Sequence, residues 1–402
     1  MEKPELLAPA GNLEKAKIAL LYGADAVYIG GKSFSLRARA SNFELEDIKN
    51  LVDFAHNLHK KVYVTMNIVP HDDDLLGLEE YLQKMEEFKV DAIITTSRYI
   101  MKTAMKLAPS VEVHVSTQNS VINSKAVEYF KNMGVKRVVL GREATLEDII
   151  KINSKVDIDL EVFIHGGMCA SLSGRCVLSN YLTNRDANRG GCAHSCRWNY
   201  TLLKNHEKWE ENGFFSMGSK DLMVLKYIPN LIDANVKSFK IEGRMKSTYY
   251  LACVVKCYRE LIDKYVESKI LTDDDLAYFE REIKKAENRT TSVGFYDGLP
   301  KVKEQLYDDR SEHPTKEYVG IVLEYDEKNQ LALIEQRNYF EVGDQVEFFG
   351  PTLKNTITEI KSIRDANTQE ELFVARHPLQ QLIINVDFPV QKNDMLRKVQ
   401  NK

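Results

Sequence analysis

The sequence predicts a (β/α)8 barrel of the TIM type, followed by a small C-terminal antiparallel β-barrel domain. Three observations lead to this prediction: eight short apolar runs, amphipathic segments between them, and a change to short alternating runs from about Tyr318. Strands that alternate with helices favour a parallel sheet, and eight such pairs close a barrel. An open, doubly wound sheet is the alternative. With 402 residues, the chain is long enough for one large and one small domain.

Each apolar run has the length and composition of a buried strand. The runs are ELLAPA from Glu5, AVYIGG from Ala26, KVYVTMNIV from Lys61, DAIITTS from Asp91, VEVHVSTQ from Val111, RVVLGRE from Arg137, IDLEVFIHG from Ile158 and SFKIEGR from Ser238. Amphipathic segments such as NLEKAKIALLYGA and SKAVEYFKNMG separate them, and several contain a glycine that suits a helix C-terminus. STYYLACVVKCYRELIDKY follows the last run as a final helix.

We therefore expect a barrel domain over residues 1–268 with a cysteine-rich insertion at 166–220, a helix and linker over 269–315, and a small β-barrel domain over 316–402. The last domain rests on six short runs separated by turns: EYVGIVLEYD, LALIEQRN, FEVGDQVEFFGP, NTITEIKSI, ELFVARH and DMLRKV. The insertion follows the seventh strand, so in a barrel it lies at the C-terminal face, where active sites are built.

Composition narrows the class of protein. The N-terminus MEKPELLAPAGN has neither the basic start nor the apolar stretch of a signal peptide, and no run is long enough to span a membrane. We expect a cytoplasmic protein with no membrane contact, and we predict no protein partner. No HExxH, G-x-S-x-G, P-loop or dinucleotide-binding motif occurs in the sequence. A net charge of -4 leaves room for a local basic surface.

Four of the six cysteines are clustered in one stretch with the spacing C-x6-C-x15-C-x3-C. They are Cys169, Cys176, Cys192 and Cys196. Thiolates bind zinc or iron-sulfur clusters, and only the last pair has a spacing common in zinc sites. The many glycines of this stretch suit a backbone that wraps closely around a bulkier group. Spacing alone leaves structural zinc and an iron-sulfur cluster open.

Other residues bear on the metal site. His165 and His194 keep a mixed Cys/His zinc site as an alternative. Cys253 and Cys257 lie four residues apart on an apolar helix, and we predict that they are small buried hydrophobic residues.

Polar residues follow the strands, where a barrel brings them to one mouth. As candidate catalytic residues we take His165, Lys240, Glu242 and Arg244; as candidate substrate-binding residues we take Arg37, Arg39, Asn67, Gln118, Arg142 and Glu143. Several of them could instead close the barrel through salt bridges. Alternation predicts that Lys240, Glu242 and Arg244 point to one side, inward. Arg37 and Arg39 could clamp carboxylates or phosphates, or lie on a solvated loop.

The cysteine-rich stretch is also basic. Between Arg175 and Lys204 it contains five basic side chains and one acid, interleaved with aromatic residues that include Tyr181. Basic groups beside aromatic rings suit a single-stranded or flipped base. The candidate RNA-binding residues are Arg175, Arg185, Arg189, Arg197 and Trp198. A solvated loop with its aromatic residues packed beneath it is the alternative.

The stretch EVFIHGGMCASLSGRCVLSNYLTNRDANRGGCAHSCRW resembles the signature of the collagenase-like peptidase U family. Similarity extends to the opening PELLAPAGNLEKAKIALLYGADAVYIG, to SLRARASNF, to SKDL at Ser219 and to KIEGRMKS at Lys240. The C-terminal β-domain also matches, so the resemblance spans nearly the whole chain.

Within that family the sequence most resembles the prephenate-dependent hydroxylases that form 5-hydroxyuridine at the wobble position of tRNA. The resemblance implies that the four clustered cysteines hold a 4Fe-4S cluster rather than zinc, that the tRNA anticodon loop is the substrate and that prephenate is a cosubstrate. Our own inference assigns the two carboxylates of prephenate to Arg37, Arg39, Lys240 and Arg244. The alternatives are hydroxylation of an rRNA cytidine, as in other family members, and collagenase-like proteolysis.

Overall fold

A computed structural model of the protein describes residues 2–36, 42–208, 215–306 and 317–399. The chain forms two compact units, of which the first comprises residues 1–282 and 289–313 and the second residues 283–288 and 314–402. The first unit is a parallel barrel and the second an antiparallel sheet, which confirms the predicted fold class. Among the described residues, no helix is both long enough and apolar enough to cross a membrane.

Eight parallel strands form the barrel. In chain order, β1 to β8 are Glu5–Pro9, Ala26–Gly30, Lys61–Met66, Ala92–Thr95, Glu112–Val115, Arg137–Val139, Asp159–Gly166 and Ser238–Ile241. Each strand pairs with the next to β7, and β8 pairs with both β7 and β1, which closes the ring and excludes the open sheet. Every barrel strand falls in one of the predicted runs. A short strand at Asp221–Met223 pairs antiparallel with the end of β7, and Thr291–Ser292 pairs with it in turn.

Helices follow the strands as the amphipathic pattern predicts. In chain order, α1 to α10 are Leu13–Leu21, Leu45–Asn57, Leu78–Glu87, Arg98–Leu107, Ser124–Met133, Leu146–Asn153, Leu178–Thr183, Ile228–Asp233, Thr248–Ser268 and Asp273–Lys284. Local chemistry sets the ends of α5: the Asn123 side chain accepts a hydrogen bond from the Ala126 amide, and Gly134 ends the helix in the left-handed conformation. Helix α7 lies within the cysteine-rich insertion.

A buried ionic cluster crosses the barrel interior. Glu161 of β7 is fully buried, and its carboxylate lies 2.6 Å from the Lys240 ammonium of β8 and 3.3 Å from the Arg137 guanidinium of β6. Ser238 donates a third hydrogen bond to Glu161, and Arg137 reaches on to Glu5 of β1 at 2.6 Å. Four strands are therefore joined by charged side chains where an apolar layer would otherwise be expected.

The protonation of this cluster follows from its geometry. Burial would raise the pKa of Glu161, but Lys240 and Arg137 outweigh it and hold the pKa at about 2. Burial lowers the pKa of Lys240, against the opposing effect of Glu161. The pair is charged, because Glu161 has two cationic partners and a hydroxyl donor.

The second unit is an eight-stranded antiparallel sheet. In spatial order its strands are Thr356–Glu359, Gln345–Phe349, Met395–Lys398, Tyr318–Asp326, Leu331–Gln336, Gln381–Asn385, Ile363–Asp365 and Glu371–Leu372. Alternate residues pack a core that includes Phe340 and Phe348. The strand Gln381–Asn385 was absent from the predicted runs. Its three consecutive apolar residues obscure the alternation that identifies the other strands.

Replacement of Glu161 by Gln should lower the free energy of unfolding by about 3–5 kcal/mol at neutral pH, because it leaves the buried Lys240 without its charged partner. Urea denaturation of both proteins measures the difference. Stabilisation by Glu161 should be complete above pH 4.5 and lost as the pH falls toward about 2, because the folded-state pKa lies below the ordinary value.

Glu128→Gln is the matched control, since Glu128 forms an exposed pair with Lys125 on α5 and its replacement should have no measurable effect. Equal stabilities of wild type and E161Q at pH 7 would show that the buried cluster contributes nothing.

Candidate active site at the barrel mouth

The cysteine loop, defined here as residues 167–204, begins at the C-terminal end of β7. Its first connection to the rest of the mouth is Glu143, which follows β6. The two carboxylate oxygens of Glu143 accept hydrogen bonds from the backbone amide and the hydroxyl of Ser173, at 2.5 and 2.7 Å. Glu143 thus holds the cysteine loop beside the end of β6.

A second connection joins the cysteine loop to the segment after β3. The Val69 amide donates to the Asn188 carbonyl at 2.9 Å, and Arg189 forms a bidentate pair with Asp74 at 2.6 and 2.7 Å. The side chain of Asn188 also bonds both backbone groups of Cys176. This part of the loop therefore positions a cysteine relative to the barrel.

A third connection lies at the start of the loop. The Glu242 amide donates to the His165 carbonyl at 2.8 Å, and the Gly167 amide donates to the Glu242 carboxylate at 3.3 Å. Gly166 has a φ of 101°, and a Cβ there would lie 2.3 Å from the Glu242 carbonyl oxygen. Only glycine fits this close approach between the ends of β7 and β8.

The four clustered cysteines are half-buried free thiols within this loop. Burial raises the pKa of Cys196, and the neighbouring Cys169 acts in the same direction, while Arg197 opposes them. The Leu178 amide donates to the Cys176 sulfur at 3.3 Å, and the Cys169 sulfur lies 3.0 Å from the Ser171 hydroxyl. Within the described ranges, no group of three or more His, Cys, Asp or Glu side chains has the arrangement of a metal-ion site.

The donor chemistry of this set fits an iron-sulfur cluster or zinc, both of which prefer thiolate ligands. The repulsion that Cys169 exerts on the ionised form of Cys196 is one that a bound cation would relieve. The N–H to sulfur bond at Cys176 also stabilises a thiolate.

The candidate RNA-binding arginines differ in their surroundings. Arg175 is exposed, Arg185 and Arg197 are half-buried, and Arg189 is engaged by Asp74. Trp198 is exposed as well.

Apolar side chains of the same loop also face solvent. Tyr181 of α7 is 85% exposed, and the other exposed members are Leu172, Val177, Leu182 and Leu203. The alternative that the loop aromatics pack beneath it is therefore wrong for Tyr181. The sequence places Tyr181 among the interleaved aromatic residues of the loop but indicates no role for it at a site.

Lys240, Glu242 and Arg244 do not share one side, because β8 ends at Ile241 and alternation ends with it. Lys240 points into the barrel toward Glu161. Glu242 contacts the start of the cysteine loop. Arg244 is buried and donates to neutral oxygens, those of Ser35 at 2.8 Å, Asn42 at 2.7 Å and Thr65 at 3.3 Å.

His165 is buried against helix α9. Its Nδ1 lies 3.3 Å from the Tyr258 hydroxyl, and its ring lies 5.8 Å from that of Tyr250 between centroids. Burial lowers the pKa of His165 to about 3, and Lys246 acts in the same direction. The imidazole is therefore neutral at physiological pH, and a catalytic role for it stays a prediction.

The remaining candidate substrate-binding residues lie at successive strand ends. Asn67 accepts a hydrogen bond from the Leu36 amide at 3.2 Å. Gln118 is buried, and its Oε1 has no hydrogen-bond partner in the part of the chain that the structure describes. The guanidinium carbon of Arg142 lies 3.8 Å from the centroid of the Phe163 ring. Arg37 and Arg39 lie outside the described residues.

Sequence reasoning missed residues that organise the site. Phe163 and Glu161 alternate along β7 with inward side chains, a signal that the strand pattern contained. Ser173 and Asn188 act through backbone contacts of an irregular loop, for which the sequence offers no comparable signal.

The fold and the site define a barrel protein whose mouth carries a thiol-rich loop. The sequence matches the family model described as Peptidase family U32 over residues 11–306 and that of the Peptidase family U32 C-terminal domain over residues 314–397. The chain belongs to peptidase family U32, which confirms the family inferred from the cysteine signature.

Three relatives carry the names of three different activities. The chain is 46% identical over 406 residues to the tRNA hydroxylation protein P1 of Bacillus subtilis, covering 99% of this chain and 95% of that protein. It is 38% identical to the 23S rRNA 5-hydroxycytidine C2501 synthase of Escherichia coli, covering 66% and 40% of the two chains. It is 30% identical to a collagenase of Porphyromonas gingivalis, covering 90% of each.

Replacement of Glu143 by Ala should speed amide hydrogen exchange across residues 172–176, because both bonds that hold Ser173 are lost. Exchange followed by mass spectrometry measures the effect. Glu147→Ala is the matched control, since Glu147 is exposed on α6. Unchanged exchange in E143A would show that this contact does not hold the loop.

Proposed function

We propose that the protein is a hydroxylase that forms 5-hydroxyuridine at the wobble position of tRNA, with prephenate as cosubstrate and a 4Fe-4S cluster as cofactor. The observation that carries the proposal is the similarity to the tRNA hydroxylation protein P1, which extends over 99% of the chain. Similarity on this scale includes the barrel, the cysteine loop and the C-terminal unit. We place the reaction in the cytoplasm.

The exposed side chains of the cysteine loop support an RNA substrate. Chemistry at C5 of a base requires that the base leave its stack, and a wobble base in an anticodon loop is already partly unstacked. Tyr181 and Trp198 present exposed rings on the cysteine loop, and Arg175 adds an exposed cation. Aromatic rings beside basic groups suit a single-stranded RNA segment.

Cys169, Cys176, Cys192 and Cys196 would hold the cluster. When bound, a 4Fe-4S cluster supplies one-electron redox chemistry or a Lewis-acidic iron. The chain itself would position that group: Asn188 fixes the backbone of Cys176, and the Leu178 amide supports its sulfur.

Prephenate carries two carboxylates, for which arginine is the favoured partner. The Lys240 ammonium is already engaged by Glu161, so Arg37, Arg39 and Arg244 remain the proposed donors from the original set. The proposed catalytic residues remain His165, Lys240, Glu242 and Arg244, and Lys240 would act from within the buried cluster.

The names of two other relatives suggest alternative activities for this chain. Similarity to the rRNA synthase favours hydroxylation of a cytidine, although the match covers only 40% of that protein. Similarity to the collagenase favours proteolysis, but the sequence identity is lower, at 30%. The test below separates all three.

Expression of the chain in an Escherichia coli strain that lacks its own tRNA hydroxylation protein, its 23S rRNA 5-hydroxycytidine C2501 synthase and any redundant oxygen-dependent pathway should restore 5-hydroxyuridine-derived nucleosides in tRNA. Nucleosides from tRNA and from 23S rRNA are quantified by mass spectrometry, and the same lysates are assayed on casein. Restoration of 5-hydroxycytidine in rRNA alone would favour the second activity, and casein cleavage that survives in C176A would favour the third.

Cys→Ala replacement at each of positions 169, 176, 192 and 196 should remove most of the iron, because each variant loses one of four ligands. Wild type purified without oxygen should contain about four irons per chain and absorb in the visible range. C253A is the matched control and should keep its iron, since Cys253 is buried within helix α9. Zinc without iron in the wild-type protein would contradict the cluster.

A further inference from the structure

Arg142 and Phe163 form a stacked pair at the barrel mouth. Arg142 follows β6 and is half-buried, while Phe163 belongs to β7 and is buried. The separation of 3.8 Å between the guanidinium carbon and the ring centroid places the cation against the aromatic face. Stacking of this kind fixes the plane of a guanidinium whose side chain is otherwise flexible.

The charge of Arg142 is not neutralised by its neighbour in the sequence. Glu143 uses both carboxylate oxygens to hold Ser173. Among the described residues, no carboxylate lies within salt-bridge distance of Arg142. Stacking occupies the face of a guanidinium and leaves its N–H edge, the side that binds a carboxylate through two parallel hydrogen bonds.

The surroundings are those of a built site. The Lys240 ammonium lies 5.6 Å from the same Phe163 ring, so the ring borders two cations. Lys240, however, is occupied by Glu161. At the end of the adjacent strand β5, the buried Gln118 offers an oxygen that lacks a hydrogen-bond partner within the described ranges. A polar ligand at the mouth would satisfy such a group.

We propose that Arg142, held flat by Phe163, binds a carboxylate of the small-molecule cosubstrate, and that Phe163 is a positioning residue. This inference rests on the proposed function. It adds Arg142 to the proposed carboxylate donors Arg37, Arg39 and Arg244, in place of Lys240, which is engaged by Glu161. An RNA phosphate offers similar oxyanion chemistry, so the experiment compares the two sources.

Binding of prephenate, malonate and tRNA to the full chain is measured separately by calorimetry. Arg142→Lys keeps the charge but loses the bidentate edge, and should weaken binding of prephenate at least about tenfold. Phe163→Leu should weaken it by roughly 3- to 10-fold, while Phe163→Tyr keeps the ring and should restore it. The matched control is Arg98→Lys. Arg98 is exposed on α4, and its guanidinium carbon lies 5.7 Å from the centroid of the Tyr129 ring on α5.

Several outcomes would overturn the inference. They are equal prephenate affinity in wild type and R142K, a loss in R142K that affects tRNA alone, and failure of both prephenate and malonate to bind the wild-type chain. Binding of malonate but not prephenate, with the same dependence on Arg142, supports the carboxylate site and overturns only the choice of cosubstrate. If the wild-type chain binds prephenate through Arg142 but does not hydroxylate tRNA, the proposed function is overturned and this site is not. Thermal unfolding of F163L and F163Y separates a folding defect from a loss of positioning.

Discussion

The ionic cluster around Glu161 is the constraint on which the barrel depends. A carboxylate with no solvent contact is tolerated only because Lys240 and Arg137 approach it from both neighbouring strands. Those contacts link β6, β7 and β8, and Arg137 extends them to β1 through Glu5. The strand pairing that closes the ring therefore also brings the cationic side chains to the buried carboxylate of Glu161. The strand ends that form the mouth take their positions from this closure.

The mouth is organised by contacts between loops. Three strand-end segments hold the cysteine loop: Glu143 binds Ser173, Asp74 binds Arg189, and Glu242 binds Gly167. Two of the polar residues that the sequence placed at the mouth, Glu143 and Glu242, therefore act as supports for the cysteine loop. Arg142 is different, because its charge is stacked on an aromatic ring and, within the part of the chain that the structure describes, is not paired with an acid. Only the three-dimensional structure distinguishes the residues that hold the cysteine loop from those that are available to bind a ligand.

The sequence predicted the barrel strands because each is a short apolar run and amphipathic segments lie between most of them. It failed at Gln381–Asn385, where consecutive apolar residues hide the alternation of an antiparallel strand. It also failed for the direction of Glu242 and Arg244, since periodicity carries no information beyond the last residue of a strand. The spacing of the cysteines revealed the cluster, and the motif around them indicated the family of the protein. The contacts that position it, such as those of Asn188, depend on irregular backbone that no local pattern encodes.

The cysteine loop is joined to the barrel by hydrogen bonds and an ion pair, and several of its apolar side chains face solvent. A segment that buries little apolar surface opens at lower free energy than the core beneath it. The barrel, closed by its own charged cluster, does not need this loop for its strands to pair. Insertion of the proposed cofactor would therefore be compatible with an already folded chain, and maturation would then separate into two steps, folding first and loading second.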